Sequence, residues 1–249
     1  MYPVLFRIGS FEITSFGVLV AIAALVALNV FSRELRRRHL PEDAGNAAVG
    51  GVLGGLAGAK LIWSLEFAGT APFGDLLFSR GGLSWFGGFA GGLSVGLWLL
   101  RRYRIPLLTG LAAATPALAI GHAIGRIGCF LVGDDYGKPT TLPWGVAFPD
   151  GLPPTSVPVH PTQLYETVAL AVLAIVLVRL SRAGTPDRLV LGVYLTAAGA
   201  IRFLIEFVRV NAPVAGPLTL AQLWSLALVC AGVALLARRS ATLGVERRS

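Results

Sequence analysis

Charged residues are scarce in this chain. Asp, Glu, Lys and Arg make up 14% of its 249 residues, and hydrophobic residues make up 55%. A soluble domain of this size normally has about a quarter of its residues charged, so the scarcity argues against an ordinary soluble enzyme or binding module. The apolar residues occur in blocks of roughly 17 to 25, the length that crosses a bilayer as a helix. The sequence therefore predicts an all-α polytopic membrane protein.

Cysteine and the usual cofactor motifs are also scarce. The two cysteines, Cys129 and Cys230, lie in different apolar segments, which argues against a disulfide. We find no His, Cys and Asp cluster with metal-ligand spacing and no nucleotide-binding loop, so we expect no metal and no cofactor. The N-terminal stretch lacks a basic start followed directly by an apolar core and a small-residue cleavage site, so we expect no cleavable signal peptide.

The net charge of +8 is not gathered on one soluble face, so we expect no nucleic-acid partner. Fourteen of the 21 Lys and Arg residues fall in four clusters, each after an apolar block. These clusters are Arg33–Arg38, Arg101–Arg104, Arg179–Arg188 and Arg238–Arg248. The positive-inside rule assigns such clusters to the cytoplasm. We therefore expect the N-terminus outside and the C-terminus in the cytoplasm.

Seven transmembrane helices agree with that orientation, because opposite termini need an odd number of spans. The predicted helices cover roughly 15–32, 46–67, 82–100, 107–132, 161–179, 189–209 and 218–237. We expect a single integral-membrane domain over residues 1–249, with a larger ordered loop on the outer face at about 133–160. Two helices carry glycine pairs, GGVLGG at 50–55 and GGFAGG at 87–92. Such pairs indicate either close helix packing or a direct role at a ligand.

Ionisable residues inside the predicted spans indicate a functional site, because each is costly in hydrocarbon. They are Lys60, His122, Arg126, Glu166, Arg202 and Glu206. In the predicted orientation all of them lie toward the outer leaflet. Nothing comparable marks the inner half, which argues against an ion channel or a proton-driven transporter.

Arginine suits phosphate, because its guanidinium fork donates two parallel hydrogen bonds. The phosphate available at this depth belongs to a lipid headgroup, so the residues themselves point to an anionic phospholipid as substrate. Arg202 and Glu206 are four residues apart on one helix face, and a purely structural ion pair between them is the alternative. His122 and Arg126 have the same spacing.

Five motifs resemble the prolipoprotein diacylglyceryl transferase family. They are PVLFRIGSFEITSFG at the start, GGLSWFGG at the start of the third helix, GRIGCFLVGDDYG at the end of the fourth, HPTQLYE at 160–166 and IRFLIEFVR at 201–209. They occur in the order found in the family, over nearly the whole chain. Seven spans with the N-terminus outside is also the topology of that family.

The resemblance implies a multi-pass enzyme of the bacterial plasma (inner) membrane with its site toward the outer leaflet. Such an enzyme moves the diacylglyceryl group of phosphatidylglycerol onto the lipobox cysteine thiol of a preprolipoprotein. A thioether forms and glycerol phosphate leaves. A thiol reacts as thiolate, so a base or a positive field must favour deprotonation, and arginines can stabilise the charge on the leaving phosphate.

The resemblance also implies roles for residues at matching positions. Arg126 matches the signature arginine, Arg202 the essential arginine of the sixth span, and Glu206 and Arg209 the acidic and basic residues after it. Asp134 takes the place of a signature glutamate, and Lys60 stands where many members have arginine. Three glycines match functional ones: Gly81, Gly87 and Gly137. We expect Arg126, Arg202, His122 and Glu206 to be catalytic. The others, together with the two arginines, are expected to bind substrate.

Phe86 is the main departure from the family pattern, because a histidine that is a candidate base usually stands there. A phenyl ring cannot accept a proton. His122, one helical turn from Arg126, is the candidate replacement, with Asp134 and Asp135 as second choices. We expect His160 and Glu166 to anchor the outer loop. Two alternatives remain open: a non-catalytic phospholipid-binding paralogue, and a transferase with another acceptor or headgroup.

Overall fold

The computed structural model describes residues 4–9, 11–41, 44–79 and 82–246. Eight helices account for most of these residues. They are α1 (Ser15–Arg37), α2 (Gly45–Glu66), α3 (Phe73–Phe78), α4 (Trp85–Arg102), α5 (Leu107–Val132), α6 (Thr162–Arg182), α7 (Asp187–Glu206) and α8 (Leu220–Glu246). Three short antiparallel hairpins lie between them: β1 (Val4–Ile8) with β2 (Phe11–Thr14), β3 (Val146–Phe148) with β4 (Thr155–Val159), and β5 (Pro213–Ala215) with β6 (Leu218–Thr219).

The all-α polytopic class is confirmed, and each of the seven predicted helices is present. Within the described part of the chain, six helices are long and apolar enough to cross a bilayer, namely α1, α2, α5, α6, α7 and α8 up to Ala237. The seventh predicted span is α4, a glycine-rich helix of 18 residues that ends in Arg101 and Arg102. The sequence analysis predicted neither the short helix α3 nor the hairpins.

Two compact units divide the chain, one formed by Met1–Ala27 with Ala112–Ser249 and the other by Leu28–Leu111. In the second unit, α2 and α4 pack through their glycine pairs. A Cβ added to Gly54 would lie 2.9 Å from the carbonyl oxygen of Gly91, and one added to Gly55 would lie 3.3 Å from that of Gly88. The sequence left open whether these glycines serve close helix packing or contact a ligand. The structure shows close helix packing.

In the first unit, α7 and α8 also approach closely at small residues. A Cβ on Gly199 would lie 2.8 Å from the Ser225 carbonyl oxygen, and one on Gly232 the same distance from that of Gly192. Helix α6 is tied to α5 by the Thr167 hydroxyl, which donates to the Ala123 carbonyl at 3.2 Å. Within this unit, α7 is therefore packed on α8 and α6 on α5.

The segment between α5 and α6 contains β3 and β4 and packs against the ends of the helices. Phe148 of β3 is fully buried, with an edge contact to Phe130 of α5 and a stacked contact to Tyr136. Isolated bridges join Gly137 to Arg209 and Pro139 to Val159. The loop is thereby fixed to the ends of α5, α6 and α7, near Arg126, Glu166 and Glu206.

Candidate functional site

Arg126 lies on α5, and its guanidinium is buried among carboxylates. Nη1 donates to Asp135 Oδ2 at 2.7 Å, and Nε forms an ion pair with Glu166 Oε2 at 2.5 Å. Nη2 is buried and has no hydrogen-bond partner among the residues that the structure describes. An isolated arginine in an apolar run is costly, so the two carboxylates explain how Arg126 is tolerated there. One of its donors remains for a ligand.

Glu166 of α6 joins Arg126 to Arg202 of α7. Its carboxylate is almost fully buried, and its Oε1 accepts a hydrogen bond from Arg202 Nη1 at 2.7 Å. Arg202 Nη2 pairs with Glu206 Oε2 at 2.8 Å, so the predicted ion pair within α7 is present. The Arg202 side chain remains 30% exposed, against 7% for Arg126. Arg202 is therefore the arginine most open to a ligand.

Glu206 is held at the end of α7 by neutral donors as well as by arginines. Its Oε1 accepts hydrogen bonds from Asn211 Nδ2 at 2.6 Å and from the Thr219 hydroxyl at 2.8 Å. Its Oε2 lies 3.7 Å from Arg209 Nε. A buried carboxylate with this many hydrogen-bond and ion-pair partners is fixed in place.

Asp135 connects Arg126 to Arg209 across the loop. Its Oδ1 accepts from Arg209 Nη2 at 2.6 Å, while its Oδ2 accepts from Arg126. Its backbone carbonyl also accepts from Arg209 Nη1 at 3.0 Å. Six side chains thus form one continuous network: Arg126, Asp135, Glu166, Arg202, Glu206 and Arg209.

Hydrogen bonds from α6 and close backbone packing at Gly137 hold the loop that carries Asp135 in place. The Thr162 hydroxyl donates to the Asp135 carbonyl at 2.8 Å, and Gln163 Nε2 donates to the Asp134 carbonyl at 2.6 Å. At Gly137 a Cβ would lie 2.5 Å from the Val208 carbonyl oxygen and 2.9 Å from His160 Cβ. Only glycine fits where these three segments meet.

The two adjacent acids of the loop have opposite electrostatic environments. Burial raises the pKa of the Asp134 carboxyl, and the neighbouring charge of Asp135 raises it further, against the lowering effect of hydrogen bonding to Cys129. Burial also acts to raise the pKa of Asp135, but the guanidinium groups of Arg209 and Arg126 outweigh it and lower that pKa. Asp135 is therefore a fixed anion, and its two oxygens are already occupied.

The other predicted residues are divided between the two compact units. His122 lies one turn before Arg126 with an exposed side chain and interacts electrostatically with Glu166, Arg126 and Arg202. Lys60 and Gly87 belong to the other compact unit. There Lys60 Nζ donates to the Ser79 carbonyl and hydroxyl oxygens, both at 2.8 Å, and Gly87 packs against Gly58. Gly81 lies outside the described residues.

A possible ligand set for a metal occurs beside the network. Ligand atoms of Cys129, Asp134 and Asp135 lie within 4.8 Å of one another. Both carboxylate oxygens of Asp135 already accept hydrogen bonds from arginines, which leaves a metal ion little charge to share. The cluster therefore reads as part of the ion-pair network, and we assign no metal to it.

Glu166 is the residue whose role the sequence analysis missed. We expected it to anchor the outer loop, as His160 does through backbone hydrogen bonds to Gly137 and Lys138. It pairs with two arginines instead. The sequence did contain a signal for this pairing. The predicted spans place Glu166 at the same depth as the arginines of neighbouring spans, and intramembrane charges usually pair.

A shallow, open apolar pocket of about 420 Å³ lies in the same compact unit as the network. Its lining includes Trp144, Tyr165, Leu204, Ile205 and Val208. Three of these residues directly precede Glu166, Glu206 and Arg209 in the chain, so apolar and charged surfaces alternate on the same turns. A ligand with a charged group and an apolar portion would find both surfaces here.

Comparison with known proteins identifies the family of the chain. A sequence model described as prolipoprotein diacylglyceryl transferase matches residues 3–238. The chain is 33% identical to the phosphatidylglycerol–prolipoprotein diacylglyceryl transferase of Geobacter sulfurreducens, over 93% of this chain and 92% of the relative. It is 34% identical to the enzyme of that name from Gloeobacter violaceus, over 96% and 94% of the two chains. For the one from Clostridium tetani the identity is 33%, over 84% and 86%. The chain belongs to the prolipoprotein diacylglyceryl transferase family.

Proposed function

We propose that the arginine–carboxylate network is the reaction centre of a phosphatidylglycerol–prolipoprotein diacylglyceryl transferase. The observation that carries this is the continuous pairing of Arg126, Arg202 and Arg209 with three carboxylates at one end of the helices. The names of the relatives supply the substrates, a phospholipid and a prolipoprotein. The family and these relatives support the enzyme over a non-catalytic lipid-binding paralogue.

In the proposed reaction, the acceptor thiol gives up its proton. The thiolate then attacks the carbon of the diacylglyceryl group that is bonded to the phosphate oxygen. The new sulfur–carbon bond replaces the carbon–oxygen bond to phosphate. The electron pair of that bond leaves on the phosphate oxygen, and glycerol phosphate departs. The leaving phosphate gathers negative charge as the bond breaks, so guanidinium donors held in place beforehand lower the barrier.

Two donors are best placed for that phosphate. Arg202 is partly exposed, and Arg126 has a buried Nη2 without a hydrogen-bond partner in the described parts of the chain. Because three arginines meet three carboxylates, the centre is close to neutral before the lipid arrives. Glu166 and Glu206 then hold the arginines in position, and the anionic lipid finds oriented donors without competing against mobile side chains.

His122 is the proposed base. It lies one turn from Arg126 on α5, and it interacts electrostatically with Glu166, Arg126 and Arg202. A histidine can take the thiol proton at neutral pH. The need for it arises from Phe86, which stands where relatives of this family usually have histidine. Asp135 suits the role less well, since both of its oxygens are occupied.

The remaining predicted ligands stay part of the proposal. Arg209 belongs to the centre, Asp134 adjoins it, and Gly137 allows the close packing that supports it. Lys60, Gly81 and Gly87 lie elsewhere in the chain, and their substrate roles rest on the family pattern alone. We propose that the protein lies in the bacterial inner membrane with this centre toward the outer leaflet, and that nucleic acid is not a partner.

An activity assay tests the proposal. Purified protein, phosphatidylglycerol and a lipobox peptide are mixed in detergent, and both the thioether product and released glycerol phosphate are followed. We expect Arg126→Gln and Arg202→Gln to lower turnover at least about a hundredfold, as for loss of a preorganised donor. The matched control is Arg182→Gln, at the far end of α6. Full turnover in both site variants would refute the assignment of the centre.

A second arm of the assay concerns the base. His122→Ala is expected to abolish turnover, with a loss on the order of 10² to 10⁴. It should leave binding of phosphatidylglycerol vesicles unchanged, because Arg126 and Arg202 remain. His39→Asn, at a histidine of the other compact unit with a positive φ that asparagine tolerates, is the control. Wild-type turnover in His122→Ala would exclude His122 as the base.

A further inference from the structure

Asp135 occupies an unusual position in the loop after α5. Its backbone has a φ of 60°, a left-handed conformation that aspartate and asparagine adopt more readily than most residues. This conformation, with the buried Thr162 hydroxyl on its carbonyl, turns its carboxylate toward two arginines. The side chain is nevertheless 48% exposed, far more than either arginine.

The two carboxylate oxygens of Asp135 accept hydrogen bonds from arginines in two different parts of the fold. Oδ2 accepts from Arg126 of α5 at 2.7 Å, and Oδ1 accepts from Arg209, which follows α7, at 2.6 Å. Arg209 also donates to the Asp135 backbone, so its guanidinium is held at both Nη atoms. The carboxylate is thus a bridge, and the orientation of Arg126 depends on it at Nη1 and on Glu166 at Nε.

We propose that Asp135 is a positioning residue for the transfer reaction: its carboxylate joins Arg126 to Arg209 and thereby directs Arg126 Nη2, and it contacts neither substrate. The inference rests on the proposed role of Arg126 at the lipid phosphate. It differs from a role for Asp135 as base, which would need a free oxygen, and from a role as lipid ligand, which would place an anion against an anion.

The expected changes in kcat and in the KM for phosphatidylglycerol distinguish these roles. Removing a negative charge beside an anionic lipid should by itself favour lipid binding, so the KM for phosphatidylglycerol should stay the same or fall. Loosening Arg126 weakens an interaction that matters when charge develops on the leaving phosphate, so kcat should fall. A positioning residue therefore gives a lower kcat without a higher KM.

The first experiment compares three substitutions in the full-length protein in detergent. Asp135→Asn, which keeps the size and one acceptor oxygen, is expected to lower kcat about tenfold or more without raising the KM for phosphatidylglycerol. Asp135→Glu keeps both charged oxygens and should recover at least about threefold of that loss. Asp150→Asn, the same change at an exposed acid of the same loop, should leave kcat and KM within about twofold of wild type.

A double substitution tests whether Asp135 acts through an arginine. If it does, Asp135→Asn combined with Arg209→Gln should be no more than about twofold slower than the slower single variant, because both remove the same bridge. Multiplying losses would overturn the inference. So would wild-type kcat in Asp135→Asn, a raised KM with kcat unchanged, or a folded Asp135→Glu as slow as Asp135→Asn.

The result also remains separate from the proposed function. If Arg126→Gln and Arg202→Gln keep full turnover, the assignment of the reaction centre fails, whatever Asp135 does. If they are inactive while Asp135→Asn is normal, only the positioning role fails. Thermal unfolding of each variant in detergent shows whether a loss comes from misfolding, and Asp135→Glu then decides the case, because it restores the bridging charge.

Discussion

Arg126, Arg202 and Arg209 bring three positive charges into the apolar part of the chain, and Asp135, Glu166 and Glu206 bring three negative ones. Each arginine contacts carboxylates on at least one element other than its own. A buried charge is costly when unpaired, and a paired one is tolerated when its remaining hydrogen bonds are satisfied. The balance explains why so many ionisable residues persist in a sequence that is otherwise poor in them.

Glu166 should be the least replaceable of these carboxylates. Glu166→Gln removes the charge between Arg126 and Arg202 and leaves two guanidinium groups facing each other across a neutral amide. Breaking a buried pair in this way typically costs about 3–5 kcal/mol, so we expect a clear fall in the thermal unfolding midpoint and loss of turnover. Both are measured on purified protein in detergent.

The control for Glu166 is Glu12→Gln. Glu12 pairs with Arg7 at 2.7 Å on the exposed β1–β2 hairpin, where an ion pair contributes about 0–1 kcal/mol. A midpoint for Glu166→Gln that equals that of Glu12→Gln would show that Glu166 does not hold the two arginines.

Asp134 and Asp135 should affect stability with opposite signs at neutral pH. The pKa of Asp135 is lowered by Arg209 and Arg126 against the effect of burial, so its charge stabilises the fold above about pH 3.9, the value of an unperturbed aspartate. The pKa of Asp134 is raised by burial and by Asp135, so its charge opposes folding at pH 7. Asp135→Asn should lower the unfolding midpoint at pH 7, and Asp134→Asn should raise it.

Acid separates the two variants further. As pH falls through the raised pKa of Asp134, wild type becomes neutral there, and the advantage of Asp134→Asn should disappear by about pH 4. Asp135 keeps its charge to a lower pH, so the deficit of Asp135→Asn should still be present at about pH 4. Midpoints measured from pH 7 to pH 4 test this order, and equal pH dependence of the two variants would contradict it.

At the scale of elements, the packing of α2 on α4 makes a sharp prediction. At Gly91, an added Cβ would overlap the backbone of Gly54, which cannot move aside unless the helices separate. Gly91→Ala should therefore destabilise the protein by about 1–3 kcal/mol, the usual range for overpacking.

At Gly96 of the same helix, no heavy atom lies within 4 Å of the added Cβ. Gly96→Ala should be neutral or slightly stabilising, because alanine favours helix more than glycine. The difference in thermal unfolding midpoint between the two alanine variants is the measurement, and equal midpoints would rule out the close contact.

Helices were predictable from the sequence because each has its own local signal. The bounds predicted for the fourth helix, 107–132, coincide with α5, since the apolar run is long and leads into a turn at Gly133. Two of the hairpins lacked such a signal, because β6 has two residues and β3 has three, too short for an alternating pattern to be recognised. Their pairing depends on contacts across the loop, such as Phe148 against Phe130.

The candidate site was predictable in its residues and only partly in its contacts. Depth and residue type identified Arg126, Arg202 and Glu206. Asp135 and its partner Arg209 are 74 residues apart in the chain, and their contact requires a left-handed backbone at Asp135. A single sequence shows neither the contact nor that backbone conformation. Glu166 was noticed as an intramembrane charge, but the choice between an arginine partner and the outer loop depended on how α5, α6 and α7 pack.

At the scale of the whole molecule, the described chain has six helices apolar enough to span a bilayer, and α4 is the seventh predicted span. Seven spans would place the termini on opposite sides of the membrane. The basic clusters then set the direction, because Arg and Lys near span ends are retained in the cytoplasm. The ends of α5, α6 and α7 that carry the ion-pair network would all face the outer leaflet.

Single cysteines test this topology. In a background without Cys129 and Cys230, Thr141→Cys in the outer loop should react with a membrane-impermeant maleimide on intact cells. His39→Cys after α1 and Ala183→Cys after α6 should react only once the membrane is permeabilised. The physical reason is the charge asymmetry, since His39 and Ala183 directly adjoin basic clusters and the segment at 139–160 contains no Lys or Arg. Labelling of Thr141→Cys and His39→Cys from the same side would overturn the orientation. The proposed position of the reaction centre near the outer leaflet would fall with it, while the ion-pair network itself would stand.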